Sequence, residues 1–259
     1  MIDSLYIGAT GLNAQQLNVD TVANNLANVN TVGYKRARVD FEDVMYREAR
    51  RANGVPGSES NAHLLGSGVG VAGVHKLFTA GELKKSDNAL DVAIRGDGFL
   101  EAVLADGSYG YTRTGRLTVN KDGFLATAEG YALRPSITIP TDAKSIDISS
   151  TGVVTATFGD SRPTEELGQL ELASFSNAGG LTPAGENLYR SSEGSGEPTY
   201  GKPGDDGRGT LAQGYLETSN VKLVDEMVNL MIAQRAYEVS AKVIQASDEM
   251  MSLSNNLRR

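Results

Sequence analysis

Two heptad series, one at each end of the chain, constrain the fold more than any other feature of the sequence. Near the N-terminus the series is Leu5, Leu12, Val19 and Leu26, with Val22 three residues after Val19. Near the C-terminus the same interval separates Leu216, Leu223, Leu230, Tyr237, Ile244 and Met251. Apolar residues at this spacing predict helices with one apolar stripe. Because a stripe left in water would expose a row of large side chains, we expect the two helices to pair along this seam as a coiled coil.

The segment between the predicted helices has the character of β-structure. Residues 90–140 hold short apolar and β-branched runs that glycines interrupt, and Asp106-Gly107 and Asp122-Gly123 are typical of hairpin turns. The stretch 47–70 shows neither the heptad spacing of the helices nor the apolar runs of the β-rich segment, and we interpret it as part of an extended arm. The predicted fold class is α+β: a discontinuous coiled-coil helix pair from the two termini, an extended arm and an inserted mostly-β domain. The predicted domains are a terminal helical domain (1–32 and 217–259), an arm or connector (33–76) and a β-rich outer domain (77–216).

The composition disfavours several classes of function. The formal net charge of the 259 residues is -8, which disfavours binding to nucleic acids and to anionic membranes. There is no cysteine, which excludes thiol catalysis, disulfides and cysteine-ligated metals. No apolar run approaches the roughly 18 residues of a membrane span, and no cleavable signal peptide is visible. These rules alone predict a cytoplasmic protein without membrane insertion.

Motifs that carry chemistry are weak throughout the chain. The GVGVAG stretch at 68–73 has the glycine spacing of a dinucleotide-binding loop, but no helix pattern follows it, so a glycine-rich strand or turn is the better interpretation. His63 and His75 lack carboxylates at the spacing of a metal site. We therefore expect no enzymatic activity, no cofactor and no bound metal.

Polar residues beside the apolar stripes form a second pattern. Solvent-facing helix positions usually hold charged residues, whereas an amide side chain can donate and accept hydrogen bonds at once. Amides off the seam of the first helix therefore suit a face that is buried but polar, and a polar face of the second helix is either an exposed network or a contact with a neighbouring helix. We expect these faces to meet neighbouring subunits and to set their register. The residues concerned are Asn24, Asn25, Asn28, Gln234, Arg235 and Glu238.

Three ordered stretches resemble the bacterial flagellar axial proteins, the family of rod, hook and hook-associated proteins. The N-terminal signature of that family is similar to NVDTVANNLANVNTVGYKR, and the C-terminal signature is similar to GYLETSNVKLVDEMVNLMIAQRAYEVSAKVIQASDEMM. The β domain of rod and hook proteins resembles DVAIRGDGFLEAVLADGSYGYTRTGRLTVNKDGFLATAEGYAL. The opening motif, the length and the arm are most similar to those of distal rod proteins. Ser240 and the TRTGRL stretch depart from the usual pattern, which leaves room for a paralogue.

The resemblance implies a structural subunit of the flagellar distal rod, a homo-polymer that forms a hollow, rigid helical shaft and transmits torque from motor to hook. It implies four kinds of partner: the other rod proteins, the hook protein, the rings at the level of the peptidoglycan and outer membrane, and the flagellar type III export apparatus. Such proteins are exported without a cleaved signal peptide, so the expected location is the basal body across the periplasm, which overrides the cytoplasmic expectation. The alternatives are a proximal rod or hook-type paralogue and a β-domain binding module on a helical stalk.

Overall fold

A computed structural model describes residues 2–44, 47–49, 63–159 and 162–256 of the chain. The chain forms two compact units. Unit 1 consists of residues 1–26, 37–75 and 222–259, and unit 2 consists of residues 27–36 and 76–221. The boundaries of these units differ from those of the predicted domains. Most of the predicted arm falls in unit 1 together with both helices. Residues 45, 46 and 50–62 of that arm lie outside the described residues.

Unit 1 contains the two terminal helices and four strands. The elements are α1 (Ile2–Ala27), β1 (Ala37–Asp43), β2 (Arg47–Ala49), β3 (His63–Leu65), β4 (Val69–Lys76) and α2 (Leu223–Asn256). β1 pairs with β4, and β2 pairs with β3 in an antiparallel ladder. The GVGVAG stretch lies largely within β4, which confirms the glycine-rich strand.

The two helices of unit 1 touch each other and run in opposite directions. A Cβ added to Gly8 would lie 2.8 Å from Cγ1 of Ile244, and Nδ2 of Asn25 lies 3.3 Å from Oε2 of Glu226. The order of the contacts is reversed in the two helices, which shows an antiparallel pair over roughly 25 Å at 1.5 Å per residue. The predicted α+β class, with one helix from each terminus, is thereby confirmed, whereas the coiled-coil geometry stays a prediction.

Unit 2 is built of short antiparallel strands. Its strands are β5 (Leu83–Lys85), β6 (Val92–Arg95), β7 (Leu100–Val103), β8 (Tyr109–Thr112), β9 (Leu117–Val119), β10 (Leu125–Thr127), β11 (Leu133–Arg134), β12 (Ala143–Ile148), β13 (Val153–Phe158), β14 (Glu165–Gln169), β15 (Leu172–Ser174), β16 (Thr182–Gly185), β17 (Leu188–Arg190), β18 (Thr199–Gly201), β19 (Thr210–Gln213) and β20 (Tyr215–Glu217). A five-stranded sheet has the order β11-β7-β8-β17-β16, and a three-stranded sheet has the order β12-β13-β14. Two-stranded ladders join β9 to β10, β15 to β18, β6 to β19 and β5 to β20.

Both predicted hairpin turns are present in unit 2. Gly107 joins β7 to β8 with φ 78°, and Gly123 joins β9 to β10 with φ 81°. These positive φ angles favour glycine, which explains the Asp-Gly pairs. The strands enclose an aliphatic core that includes Leu100, Leu125 and Leu172, each at most 1% exposed.

The helical interpretation is wrong for Leu216, the first member of the C-terminal heptad series. Leu216 lies in β20 and pairs with Lys84 of β5. α2 begins at Leu223, and its first hydrogen bond runs from the N–H of Glu226 to the carbonyl of Lys222 at 3.0 Å. The seven-residue spacing from Leu216 to the helix is therefore fortuitous, because an apolar residue in a ladder can match a heptad position by chance.

Candidate functional site

Among the described residues, no group of His, Cys, Asp or Glu side chains is arranged to hold a metal ion. His75 is exposed and lies 3.9 Å from Asp40, and the side chain of His63 lies outside the described residues. The candidate functional features are therefore the surfaces of the two helices in unit 1 and the buried polar clusters that order each unit.

Asn25 joins three elements inside unit 1. Its Nδ2 donates to the carbonyl of Ala37 and its Oδ1 accepts from the N–H of Ala37, both at 2.8 Å, so the amide pairs with the backbone of β1. The same Nδ2 lies 3.3 Å from Oε2 of Glu226 on α2. Asn25 is 1% exposed and Glu226 is 0% exposed. The prediction that Asn25 faces a neighbouring subunit is at odds with this position, because the amide bonds within its own chain.

The other predicted contact residues lie mostly on the surface of unit 1. Asn24, Gln234, Arg235 and Glu238 are exposed. Arg235 and Glu238 form an ion pair at 2.9 Å, which contributes at most a few tenths of a kcal/mol because both side chains are solvated. Asn28, in unit 2, is half-buried and accepts a hydrogen bond from Oγ1 of Thr31 at 3.1 Å. A role for these residues between subunits stays a prediction.

The predicted seam residues are placed unequally. Val22 is buried, and seven others are half-buried in the helices: Leu5, Leu12, Val19, Leu26, Leu230, Ile244 and Met251. Leu223 and Tyr237 are 48% and 42% exposed. Tyr237 and Val19 line an open groove of about 380 Å³ with Gln16, Gln234 and Glu238, so predicted seam and predicted contact residues meet at one surface.

α2 has two faces that carry apolar side chains and that differ in exposure. Its buried side holds Glu226, Ala233 and Ser247, each at most 2% exposed, beside the half-buried apolar residues Leu230, Ile244 and Met251. A second face is apolar yet exposed over the length of the helix. Its members are Val224, Val228, Ile232, Val239, Val243, Met250 and Leu253, and they are 43% to 69% exposed. We call these seven residues the outer face of α2. A helix that is apolar on two sides is typical of one that is covered on both.

A buried ionic cluster joins three segments of unit 2 that are distant in the sequence. Oε1 of Glu217 lies 2.7 Å from Nζ of Lys35, and Oε2 lies 2.9 Å from Nε of Arg113. The three side chains are 0% to 2% exposed. Oε1 also accepts from the N–H of Gly81, and Nζ of Lys35 also donates to the carbonyl of Thr79, both at 2.7 Å. One carboxylate thus faces two buried cations.

The charges of this cluster shift the pKa values of its members. Burial by itself would raise the pKa of Glu217, but the charges of Arg113 and Lys35 and the hydrogen bonds outweigh burial and hold that pKa below its ordinary value. Burial lowers the pKa of Lys35; Glu217 opposes this shift and Arg113 adds to it. Glu217 is therefore ionised in the folded protein at neutral pH.

Two further hydrogen bonds join the segments 33–36 and 217–220 of unit 2 beside this cluster. The N–H of Gly33 donates to the carbonyl of Glu217 at 2.9 Å, and the N–H of Arg36 donates to Oδ1 of Asn220 at 2.7 Å. Sequence analysis did not identify Lys35, Arg113 or Glu217 as important. The one signal that could have found them is their place inside the three stretches that carry the family resemblance.

None of the helices in the described ranges combines the length and apolarity that a membrane span requires. Three family models match the chain: "Flagella basal body rod protein" over residues 5–35, "Flagellar hook protein FlgE/F/G D1 domain" over 93–156, and "Flagellar basal body rod FlgEFG protein C-terminal" over 212–257. They correspond in order to the three stretches on which the resemblance rests.

Full-length relatives match the chain from end to end. The chain is 46% identical to the flagellar basal-body rod protein FlgG of Agrobacterium fabrum, over 98% of this chain and 99% of that protein. It is 43% identical to FlgG of Borreliella burgdorferi, over 100% of both chains. It is 32% identical to the flagellar basal-body rod protein FlgF of Caulobacter vibrioides, over 96% of this chain and 95% of that protein.

Proposed function

The chain belongs to the FlgG family of flagellar basal-body rod proteins, and on this premise we propose that it is a structural subunit of the flagellar distal rod that polymerises through the outer face of α2. The observation that carries the proposal is the exposed apolar character of that face. Full burial of one such side chain is worth roughly 1.5–3 kcal/mol, so residues that are about half exposed leave much of this stabilisation to a partner. A second copy is the partner that a polymer supplies.

The two faces of α2 fit a helix pair that gains stability on assembly. Inside the chain, α2 meets α1 through the polar contact of Asn25 with Glu226 and through the apolar contact of Gly8 with Ile244. The seven residues of the outer face form a second apolar surface, which is 43% to 69% exposed in the single chain. Most of the stability of a helix in a protein comes from the packing of its apolar face. Contact with a second copy should therefore stabilise α2 further.

Contacts between unlike surfaces of identical chains build open helical polymers. The outer face of α2 is one surface, and the groove lined by Val19 and Tyr237 is a second on the same unit. We assign the helix pair to the inner wall of a hollow shaft and unit 2 to its outside. A shaft whose every subunit repeats the same contacts resists twisting, which is the property that torque transmission requires. The arm would brace adjacent subunits.

The proposed partners follow from family membership. They are further copies of this chain, other rod proteins and the hook protein at the ends of the polymer, the surrounding rings, and the type III apparatus that exports the chain. The proposed location is the basal body within the periplasm.

Val239→Asp tests the polymer contact. Val239 is 60% exposed on the outer face, so the carboxylate of an aspartate at this position is solvated in the free chain but would be buried in the polymer. Valine and aspartate have similar helix propensities, so α2 itself should persist. We expect cells that produce only Val239→Asp to lack rods, while the purified chain keeps its far-UV circular dichroism and stays monomeric in sedimentation velocity.

The matched control is Gln245→Asp, an aspartate at another exposed position of α2 away from the outer face. This control should form rods and support motility. Normal rods built from Val239→Asp would overturn the assignment of the outer face, and a loss of rods in both variants would show that any new charge on α2 is harmful.

A further inference from the structure

A concave surface of unit 2 concentrates positive charge. Lys84 and Lys85 of β5 and Arg116, which precedes β9, line a cavity of about 480 Å³. Val29, Val32 and Leu216 contribute apolar side chains to the same cavity. We call this surface the cationic cavity. Its volume suits one or two side chains of a partner.

The cations of this cavity lack counter-ions in the described part of the chain. Lys84, Lys85 and Arg116 take part in no ion pair there, and none of the described residues that line the cavity is acidic. The acidic residue nearest to Arg116 in the strand pairing is Asp91, which is 3% exposed and accepts hydrogen bonds from Ser86 and Asn88. Its carboxylate is therefore directed to local partners.

Four other basic residues of unit 2 are paired with carboxylates. Arg190 lies 2.7 Å from Asp106, and Arg208 lies 3.3 Å from Asp206. The buried Lys35 and Arg113 share Glu217. Lys84, Lys85 and Arg116 differ from these four in lining one concavity without a counter-ion in the described part of the chain, and like charges that line one cavity repel one another until an anion joins them.

We propose that the cationic cavity receives carboxylate side chains from a second copy of this chain in the rod. This inference rests on the proposed rod function, because it needs copies in contact. Each added copy brings eight net negative charges next to its neighbours, and such repulsion opposes association. A basic concavity that accepts acidic side chains of the next copy reverses this repulsion where the chains touch and fixes their register.

The geometry has two consequences for assembly. In an open rod the cavity of one copy receives carboxylates from a different surface of the next copy, which is a heterologous contact. Because exposed charges are screened beyond about 8 Å at physiological ionic strength, the contact acts only between direct neighbours. The apolar residues of the cavity exclude water beside the charges, which strengthens the pairing.

The test is zero-length crosslinking of rods. Basal bodies are isolated from cells in which this chain is the rod subunit and are treated with a water-soluble carbodiimide, which joins a lysine amine to a carboxylate in direct contact. The covalent dimer of the chain is cut from a denaturing gel, and its linked peptides are identified by mass spectrometry. We expect links from Lys84 or Lys85 to an aspartate or glutamate of the second copy.

Each other outcome contradicts the inference in a distinguishable way. Dimers linked only through other lysines, or links from Lys84 and Lys85 to a different protein or within one chain, would overturn the inference and leave the rod function intact. Absence of the chain from the basal bodies would overturn the rod function itself, and with it this inference.

A charge-reversal pair supplies a second readout. Lys84→Glu with Lys85→Glu changes the net charge from -8 to -12, and so does the control Lys121→Glu with Lys144→Glu at exposed positions outside the cavity. We expect the cavity variant to reduce the yield of rods at least about tenfold, because like charges would then face each other, and the control to keep its yield. Equal yields from the two variants, with equal thermal stability, would contradict the inference.

Discussion

Replacement of Glu217 by glutamine should destabilise unit 2 far more than removal of either cation that it binds. Glu217 is 0% exposed and is the one carboxylate, among the described residues, within 4.0 Å of both Lys35 and Arg113. Glutamine keeps the size of the side chain but leaves two buried positive charges 2.7 Å and 2.9 Å from a neutral amide. Loss of one partner from a buried ion pair costs about 3–5 kcal/mol, a large part of the roughly 5–15 kcal/mol by which a domain is stable.

Lys35→Met is the informative comparison. It removes one of the two cations, so Glu217 and Arg113 remain as a neutral pair. The expected cost is about 1–3 kcal/mol, the value of a lost hydrogen bond to a charged group. The ionic cluster therefore predicts a definite order: the glutamate variant loses more stability than the lysine variant.

Urea unfolding of the full chain, followed by near-UV circular dichroism, measures this difference. The chain has ten tyrosines and no tryptophan, and most of the tyrosines lie in unit 2, so the signal reports on that unit. Glu165→Gln, on the exposed end of β14, is the control and should change the free energy of unfolding by less than about 0.5 kcal/mol. Equal losses for Glu217→Gln and Lys35→Met, or a larger loss for the lysine variant, would refute the role given to the shared carboxylate.

Two further predictions concern pH and unit 1. The folded protein holds the pKa of Glu217 below its ordinary value of 4.5, so the stabilisation that its carboxylate supplies is present above that value and is lost as the pH falls through the folded pKa. The free energy of unfolding should therefore decline as the pH falls below 4.5, and Glu217→Gln should flatten this decline. Asn25→Ala leaves the backbone of Ala37 without its amide partner, which costs about 1–3 kcal/mol; amide hydrogen exchange at Ala37 should accelerate, whereas the exposed control Asn13→Ala should leave it unchanged.

Local patterns were sufficient to predict the types of element. The heptad series predicted both terminal helices, and the Asp-Gly pairs at 106–107 and 122–123 predicted two hairpin turns. Periodicity and positive φ are properties of a few consecutive residues, so the sequence displays them directly. The same locality explains the error at Leu216, since a seven-residue interval carries no information about whether its first member lies in a strand.

The partners of individual side chains were not accessible in this way. The polar residues off the apolar stripe suggested a contact with other subunits, yet Asn25 bonds to Ala37 and Glu226 of its own chain. The heptad series predicted a contact within the chain and contains none of the seven apolar residues that lie on the exposed outer face of α2. A helix with two apolar or polar faces can turn either one inward, and only packing against the other elements decides which is buried.

The sequence by itself determined the α+β class, the helix at each end, the turns of the β-rich middle and the flagellar family. Tertiary structure alone decided which residues share a buried charge: Lys35 and Glu217 are 182 positions apart in the chain, and their side chains meet at 2.7 Å. The physical reason is that periodicity and turn propensity arise between near neighbours in the sequence, whereas an ion pair or an amide bridge forms only after folding has brought distant segments together.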